Sequence, residues 1–108
     1  MRIDDLPFSP IDWSTIDPVE QPGASGTSLW RTVELGDIRV RMGEFSPGYS
    51  APDWCTRGHV VLILEGELKT ELQEGRDVVQ GPGMGLHIGD GHPHRSSTRT
   101  GAKLFIVD

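Results

Sequence analysis

The chain has 108 residues, and its ten basic and sixteen acidic side chains give a formal net charge of −6. This length suits one domain, the scattered Lys and Arg residues argue against a nucleic-acid partner, and the longest apolar run, Val60 to Leu64, is too short to span a membrane. Acidic residues near the start argue against a secretory signal and a single cysteine is compatible with a reducing compartment, so we predict a soluble, cytoplasmic protein.

Residues 1–26 differ from the rest of the chain in being rich in both proline and large apolar side chains. The prolines prevent long regular elements, while the apolar side chains are too many for a disordered tail. The residues concerned are prolines 7, 10, 18 and 22 with Leu6, Phe8, Ile11, Trp13 and Ile16. We predict an ordered N-terminal arm at 1–26 that packs along a sheet of its own subunit or a partner, with one helical turn near Ser14, and a β-domain at 27–108.

The segment "DIRVRM" alternates apolar and basic residues with the period of two that is typical of a strand with one buried face. We place Arg39 and Arg41 on the exposed face. The predicted buried face consists of Ile38, Val40 and Met42.

The segment "HVVLILEGELKTEL" predicts a hairpin that turns at Glu65 and Gly66, with its first strand buried on both faces. Further short runs, separated by glycine-rich turns, continue to the closing "KLFIVD". They predict an all-β sandwich, jelly roll or small barrel of about eight strands.

The stretch "PDWCTRGH", residues 52 to 59, holds the only cysteine and the first of four histidines. Asp53, Cys55 and His59 all have odd numbers, so in an extended segment their side chains lie on one side. His92 and His94 follow a glycine-rich bend at alternating spacing. These ligand types suffice to enclose a metal ion if neighbouring strands bring the two segments together.

The first of these segments resembles the first motif of the cupin family, H-x-H-x3-E-x6-G. Asp53, Cys55, His59 and Gly66 stand at its four positions. More narrowly, the chain resembles the DHCW-motif cupins, in which an Asp-His-Trp-Cys run precedes Gly-His. Asp53 stands here at the histidine position of that run, so a carboxylate replaces one imidazole.

The second segment, "GMGLHIGDGHPH", resembles the second cupin motif, G-x5-P-x-G-x2-H. Gly83, Gly91 and His94 match this motif, and Gly89 replaces its proline. The two motifs cover roughly residues 48–94. The resemblance implies the cupin fold, a double-stranded β-helix that is also described as a jelly-roll barrel.

In cupins the four motif positions converge on one metal, so the resemblance implies a quartet of Asp53, Cys55, His59 and His94. A thiolate, a carboxylate and two neutral imidazoles balance a divalent ion, and this donor set favours zinc, with iron second. Each residue has a structural alternative: a buried thiol, hydrogen-bonded core histidines, or an aspartate that caps a turn. His92 is a candidate catalytic acid or base, or else a solvent-facing turn residue.

We expect a metal-binding cupin that binds or acts on a small polar molecule in the barrel mouth, and the sequence leaves open whether it is an enzyme. The alternative is a non-catalytic binding module with a degenerate or empty metal site, which Asp53 in place of a histidine favours. A third hypothesis is thiol chemistry, with Cys55 activated by His59 or His94. Cupins commonly pair through sheet edges and N-terminal arms, so the resemblance also implies a homodimer.

Overall fold

Glycine-rich turns divide the chain into short strands, which the computed structural model describes for Ile3 and residues 5–108; residues 1, 2 and 4 of the predicted arm lie outside the described residues. The described residues form one 3-10 turn, Trp13–Thr15, and nine strands, so the all-β prediction is confirmed. The strands are β1 Val19–Pro22, β2 Thr27–Leu35, β3 Ile38–Phe45, β4 His59–Gly66, β5 Leu68–Leu72, β6 Asp77–Gln80, β7 Gly85–Ile88, β8 His94–Ser97 and β9 Ala102–Val107.

The strands form two antiparallel sheets that face each other as in a jelly-roll barrel. Six strands have the order β1-β2-β3-β9-β4-β7, and the other three have the order β6-β5-β8. Inward-facing side chains of the two sheets meet in one core, which consists of Phe45, Tyr49, Val61, Ile63, Leu68, Leu104 and Ile106. No helix in the described part of the chain is long and apolar enough to cross a membrane.

Strands β4 and β5 do not form the predicted hairpin, because they belong to different sheets. Gly66 turns the chain between them with a φ of 77°, and a Cβ atom at this position would overlap the carbonyl oxygen of Gly101. β4 pairs instead with β7 and β9. The glycine therefore carries the chain across from one sheet to the other.

The prediction that β4 is buried on both faces is also wrong. Its inward side chains Val61 and Ile63 are buried, whereas Val60, Leu62 and Leu64 are 59%, 41% and 38% exposed. The strand therefore has one face in the core and one apolar face on the surface of the chain.

Strand β3 is inverted relative to its predicted orientation. Arg41 pairs with Ile106 of β9, and Met42 pairs with Phe105. Because Ile106 is a buried core residue, Arg41 shares the inward face of the sheet. Its side chain is 16% exposed, so the exposed face predicted for Arg39 and Arg41 is wrong.

The N-terminal segment explains why apolar side chains of β3 face outward. Trp13 packs edge-to-face on Phe105, with ring centroids 6.4 Å apart, and the Arg31 Nε donates to the carbonyl oxygen of Ile16 at 3.0 Å. Both contacts lie on the outer face, on either side of Met42. The helical turn predicted near Ser14 is confirmed as Trp13–Thr15, and the division into arm and barrel domain stays a prediction.

Gly43 makes room for the indole of Trp30 on the neighbouring strand. The two residues are partners in the β2–β3 register, and a Cβ atom at position 43 would lie 2.7 Å from the indole ring. Trp30 Nε1 donates to Ser28 Oγ at 3.0 Å, and the Arg41 guanidinium lies 4.4 Å from the ring centroid. Gly43 therefore fixes the position of the ring on which Arg41 stacks.

We expect Gly43→Ala to lower the free energy of unfolding by about 1–3 kcal/mol, because the added methyl group overpacks the inner face against Trp30. Urea denaturation measures the change. Gly81→Ala is the matched control, since no heavy atom lies within 4 Å of a Cβ atom there. Equal stability of the two variants would contradict the packing role assigned to Gly43.

Candidate functional site

The two segments that hold the predicted ligands lie side by side in the barrel. Cys55 and His94 form an isolated antiparallel bridge, in which the Cys55 amide donates to the His94 carbonyl at 2.7 Å and the His94 amide donates back at 2.9 Å. A cavity of about 140 Å³ opens between the sheets at this point. Its lining includes the four predicted ligands Asp53, Cys55, His59 and His94.

His59 and His94 direct their Nε2 atoms toward each other at a distance of 3.0 Å. The His94 Nδ1 lies 2.7 Å from the carbonyl oxygen of His92. Because a carbonyl oxygen only accepts hydrogen bonds, the proton of His94 is on Nδ1. In the neutral ring, Nε2 then carries a lone pair that faces His59.

Burial, together with the neighbouring His94, lowers the pKa of His59 to about 4. Asp108 acts in the opposite direction, and Arg41 lowers this pKa further. The ring of His59 is therefore neutral at pH 7. It either donates its Nε2 hydrogen to His94 or, as the Nδ1 tautomer, presents a second lone pair to the same point.

The two Nε2 atoms fit two corners of a metal site. Nitrogen ligands about 2.0–2.1 Å from a tetrahedral zinc ion stand roughly 3.3 Å from each other, close to the separation of His59 and His94. In the described part of the chain, no three His, Cys, Asp or Glu side chains are grouped to hold a metal ion. Cys55 is exposed, with its Sγ 3.9 Å from the carbonyl oxygen of Arg57, and Asp53 is also exposed. The quartet therefore stays a prediction, of which two members are in close contact.

His92 contacts the histidine pair through its main chain. Its side chain lines a separate open groove of about 690 Å³ between the edge strands β6 and β7. Thr70 and Leu86 line both the groove and the cavity, so they stand between the two spaces. A catalytic role of the His92 side chain stays a prediction.

Arg41 lines the same cavity as the histidines but is absent from the predicted site. Its basic side chain alternates with apolar ones, which favours an exposed face when only the sequence is considered. The available signal is Gly43, since a glycine inside a strand marks the close approach of another group.

Three arginines surround Asp108, whose side chain is 1% exposed. Arg39 donates to it from Nε and Nη2 at 3.1 and 3.0 Å, Arg41 donates from Nη2 at 2.8 Å, and the Arg57 Nε lies 3.7 Å away. Burial raises the pKa of Asp108, but hydrogen bonding by Arg39 and the charges of Arg41, Arg39 and Arg57 outweigh burial and lower the pKa below its usual value. The carboxylate is therefore ionised, and the group keeps an excess of positive charge.

Solved structures of other proteins share this architecture. A predicted oxalate decarboxylase from Thermotoga maritima is 18% identical with a TM-score of 0.79, over 92% of this chain and 96% of its own. The polyketide cyclase RemF from Streptomyces resistomycificus is 24% identical with a TM-score of 0.76, over 93% and 78%. A cupin-2 domain containing protein from Shewanella frigidimarina is 17% identical with a TM-score of 0.61, over 73% and 78%.

No protein-family model matches the sequence, and no curated protein matches it. The structural likenesses show the cupin fold, as the two sequence motifs predict. The chain is thus a small protein with a cupin fold.

We expect the metal-free protein to lose stability as the pH falls from about 6.5 to about 4, because His59 is neutral in the folded state over this range. In the unfolded chain this histidine takes up its proton near pH 6.5, so the unfolded state binds more protons and stability rises with pH. The free energy of unfolding falls by about 3 kcal/mol over this range, and the loss is complete below pH 4. Urea denaturation across this range measures the change.

His59→Gln should reduce this pH dependence, and the difference between the variant and the parent isolates the histidine from the carboxylates. His87→Gln is the matched control, because His87 is exposed on the outer face of the sheet. A slope that is the same in the parent and in His59→Gln would show that the pKa of His59 is not lowered by folding.

Proposed function

Starting from the cupin fold, we propose that the chain binds a small polar molecule in the barrel cavity, beside a metal ion held by His59 and His94. The observation that carries this proposal is the 3.0 Å separation of the two Nε2 atoms inside the cavity. Cys55 and Asp53 line the same cavity, and in this proposal they would supply the remaining donors. The thiolate favours zinc over iron.

The residues around the cavity orient its donors and exclude water. The His92 carbonyl oxygen fixes the tautomer of His94, as is usual for a metal-bound histidine. Buried side chains such as Val61 and Leu104 form the apolar wall. A bound ion supplies Lewis acidity or lowers the pKa of a bound water.

A second candidate function is a non-catalytic binding module with a degenerate metal site. The exposed positions of Asp53 and Cys55 favour it, because the described side chains form no group of three metal ligands. The same cavity would then bind its ligand without an ion. Metal content distinguishes the two candidates.

We also propose that the protein is a cytoplasmic homodimer. Val60, Leu62 and Leu64 expose an apolar stripe on the outer face of β4, which a second copy of the chain would cover. The single cysteine supports a reducing compartment.

We expect near-stoichiometric zinc in the purified, untagged protein, measured by elemental mass spectrometry. His94→Ala and Cys55→Ser should each lower the zinc content at least about tenfold, because each removes one donor. His87→Ala, which removes an exposed histidine on the outer face, should leave the content unchanged. A parent protein that stays metal-free after incubation with zinc and iron would instead support the binding module.

We expect Leu62→Glu to convert the dimer to a monomer, since it places a charge at the centre of the exposed stripe. Sedimentation velocity at micromolar concentration measures the change. Thr100→Glu, at an exposed turn position, is the control and should remain dimeric. A monomeric parent protein would refute the homodimer.

A further inference from the structure

We propose that the cavity recognises its ligand through a carboxylate group bound by Arg41. This inference depends on the proposed binding of a small molecule in the cavity, but not on the metal. It deepens that proposal by naming the ligand class, which is a small organic monocarboxylate with a short apolar body.

Arg41 has a donor that the described residues do not satisfy. Its Nε is buried and has no hydrogen-bond partner in the described part of the chain. Two contacts hold the guanidinium: its Cζ lies 4.4 Å from the centroid of the Trp30 ring, and its Nη2 donates to Asp108 at 2.8 Å. A buried donor without a partner is unfavourable, and a carboxylate is the acceptor that suits the guanidinium fork. The orphan donor therefore indicates a place for a ligand oxygen.

The charges around Arg41 favour an anion in particular. Arg39, Arg41 and Arg57 face a single buried carboxylate, that of Asp108. This positive excess stands inside a chain whose formal net charge is −6. Asp53 also lines the cavity but is exposed, so solvent screens its charge, as it screens that of Arg57, which is 47% exposed. The local excess of positive charge therefore rests on Arg39 and Arg41, which are 33% and 16% exposed.

A second arginine of the cavity does not share these properties. Arg95 lines the cavity, but its Nε donates to Glu71 at 2.7 Å. Its guanidinium also lies 4.2 Å from the centroid of the Trp54 ring. The Nε of Arg95 therefore has a partner, unlike that of Arg41, and the inference concerns Arg41 alone.

The sheet register places Arg41 near the histidine pair. Arg41 and Val61 are both partners of Ile106, so they belong to one inward-facing row. His59 precedes Val61 by two residues on the same face. Its main chain therefore lies about 7 Å along the strand from the row of Arg41 and, because β9 stands between β3 and β4, roughly 9.5 Å across the sheet. A small molecule with its carboxylate on Arg41 therefore extends toward His59 and His94.

The size and walls of the cavity limit the rest of the ligand. The volume of about 140 Å³ is below the roughly 300–1,000 Å³ of sites for drug-sized ligands. Most of its walls are apolar or aromatic, as at Phe45, Tyr49 and Leu104. These walls suit a body of a few carbon atoms and disfavour a second charged group.

The test is a titration of metal-free protein, prepared with a chelator, with acetate, butyrate and benzoate. Acetamide, butyramide and benzamide serve as matched neutral ligands. The Nε–H resonance of Arg41, followed by nuclear magnetic resonance, reports the contact directly. We expect saturable shifts with at least one carboxylate, and binding of its amide weaker by about tenfold or more.

Arg41→Lys keeps a positive charge beside Asp108 but lacks the Nε donor, so it should weaken carboxylate binding by about tenfold or more. Arg99→Lys is the matched control, because Arg99 is 80% exposed, and it should bind as the parent does. If Arg41→Lys fails to fold, the comparison of each carboxylate with its amide on the parent protein still tests the inference.

Two outcomes separate this inference from the proposed metal site. If none of the three carboxylates shifts the Arg41 resonance, or if each amide binds as well as its acid, the inference is wrong even where zinc is bound stoichiometrically. If a carboxylate binds through Arg41 and no metal is ever found, the metal site fails and the carboxylate site stands.

Discussion

A cation inside the barrel is the constraint on which the arrangement of the larger sheet depends. The Arg41 guanidinium points into a space that is otherwise lined mostly by apolar side chains, and an unpaired charge in such a place is strongly unfavourable. Asp108 supplies the counter-charge and Trp30 supplies a ring to stack on. Strand β3 can present Arg41 inward because Gly43 of the same strand leaves room for the indole of Trp30. Apolar side chains of the same strand then face outward, where the N-terminal segment packs against the sheet.

The cavity has two polar regions of different character, which are the pair of His59 and His94 and the side chain of Arg41. His59 and His94 are held as a contacting pair, and burial keeps the first of them neutral. The arginines around Asp108 keep a net positive charge. The neutral ring of His59 beside the fixed cation of Arg41 suits the proposed ligand, which is anionic at one end. The low dielectric between the apolar walls strengthens the electrostatic interactions of both regions.

The spacing of residues within the two motifs predicts which segments of the chain meet at the cavity. The orientation of β3 and the sheet partners of β4 do not follow from local spacing. The two motif segments are brought together as expected, because Cys55 and His94 pair through their main chains. The orientation of β3 is not recoverable from its alternation, since both faces of that strand are covered and the polar side chains find partners inside. Likewise, Gly66 signals a turn without revealing whether the chain returns to the same sheet. The contacts of Arg41 do not follow from local spacing, because Trp30 lies on the neighbouring strand β2 and Asp108 follows β9, 67 residues further along the chain.

The position of β9 in the larger sheet has a consequence for how the cavity comes into being. β9 lies between β3 and β4, and it pairs Val40 with Val107, residues from opposite parts of the chain. Pairings between such distant segments slow folding, because the entropy of closing a long loop is lost before the stabilising contacts form. Until β9 is inserted, Arg41 has neither its carboxylate partner nor a closed wall behind it. A complete cavity therefore requires β9 to be in its place between β3 and β4.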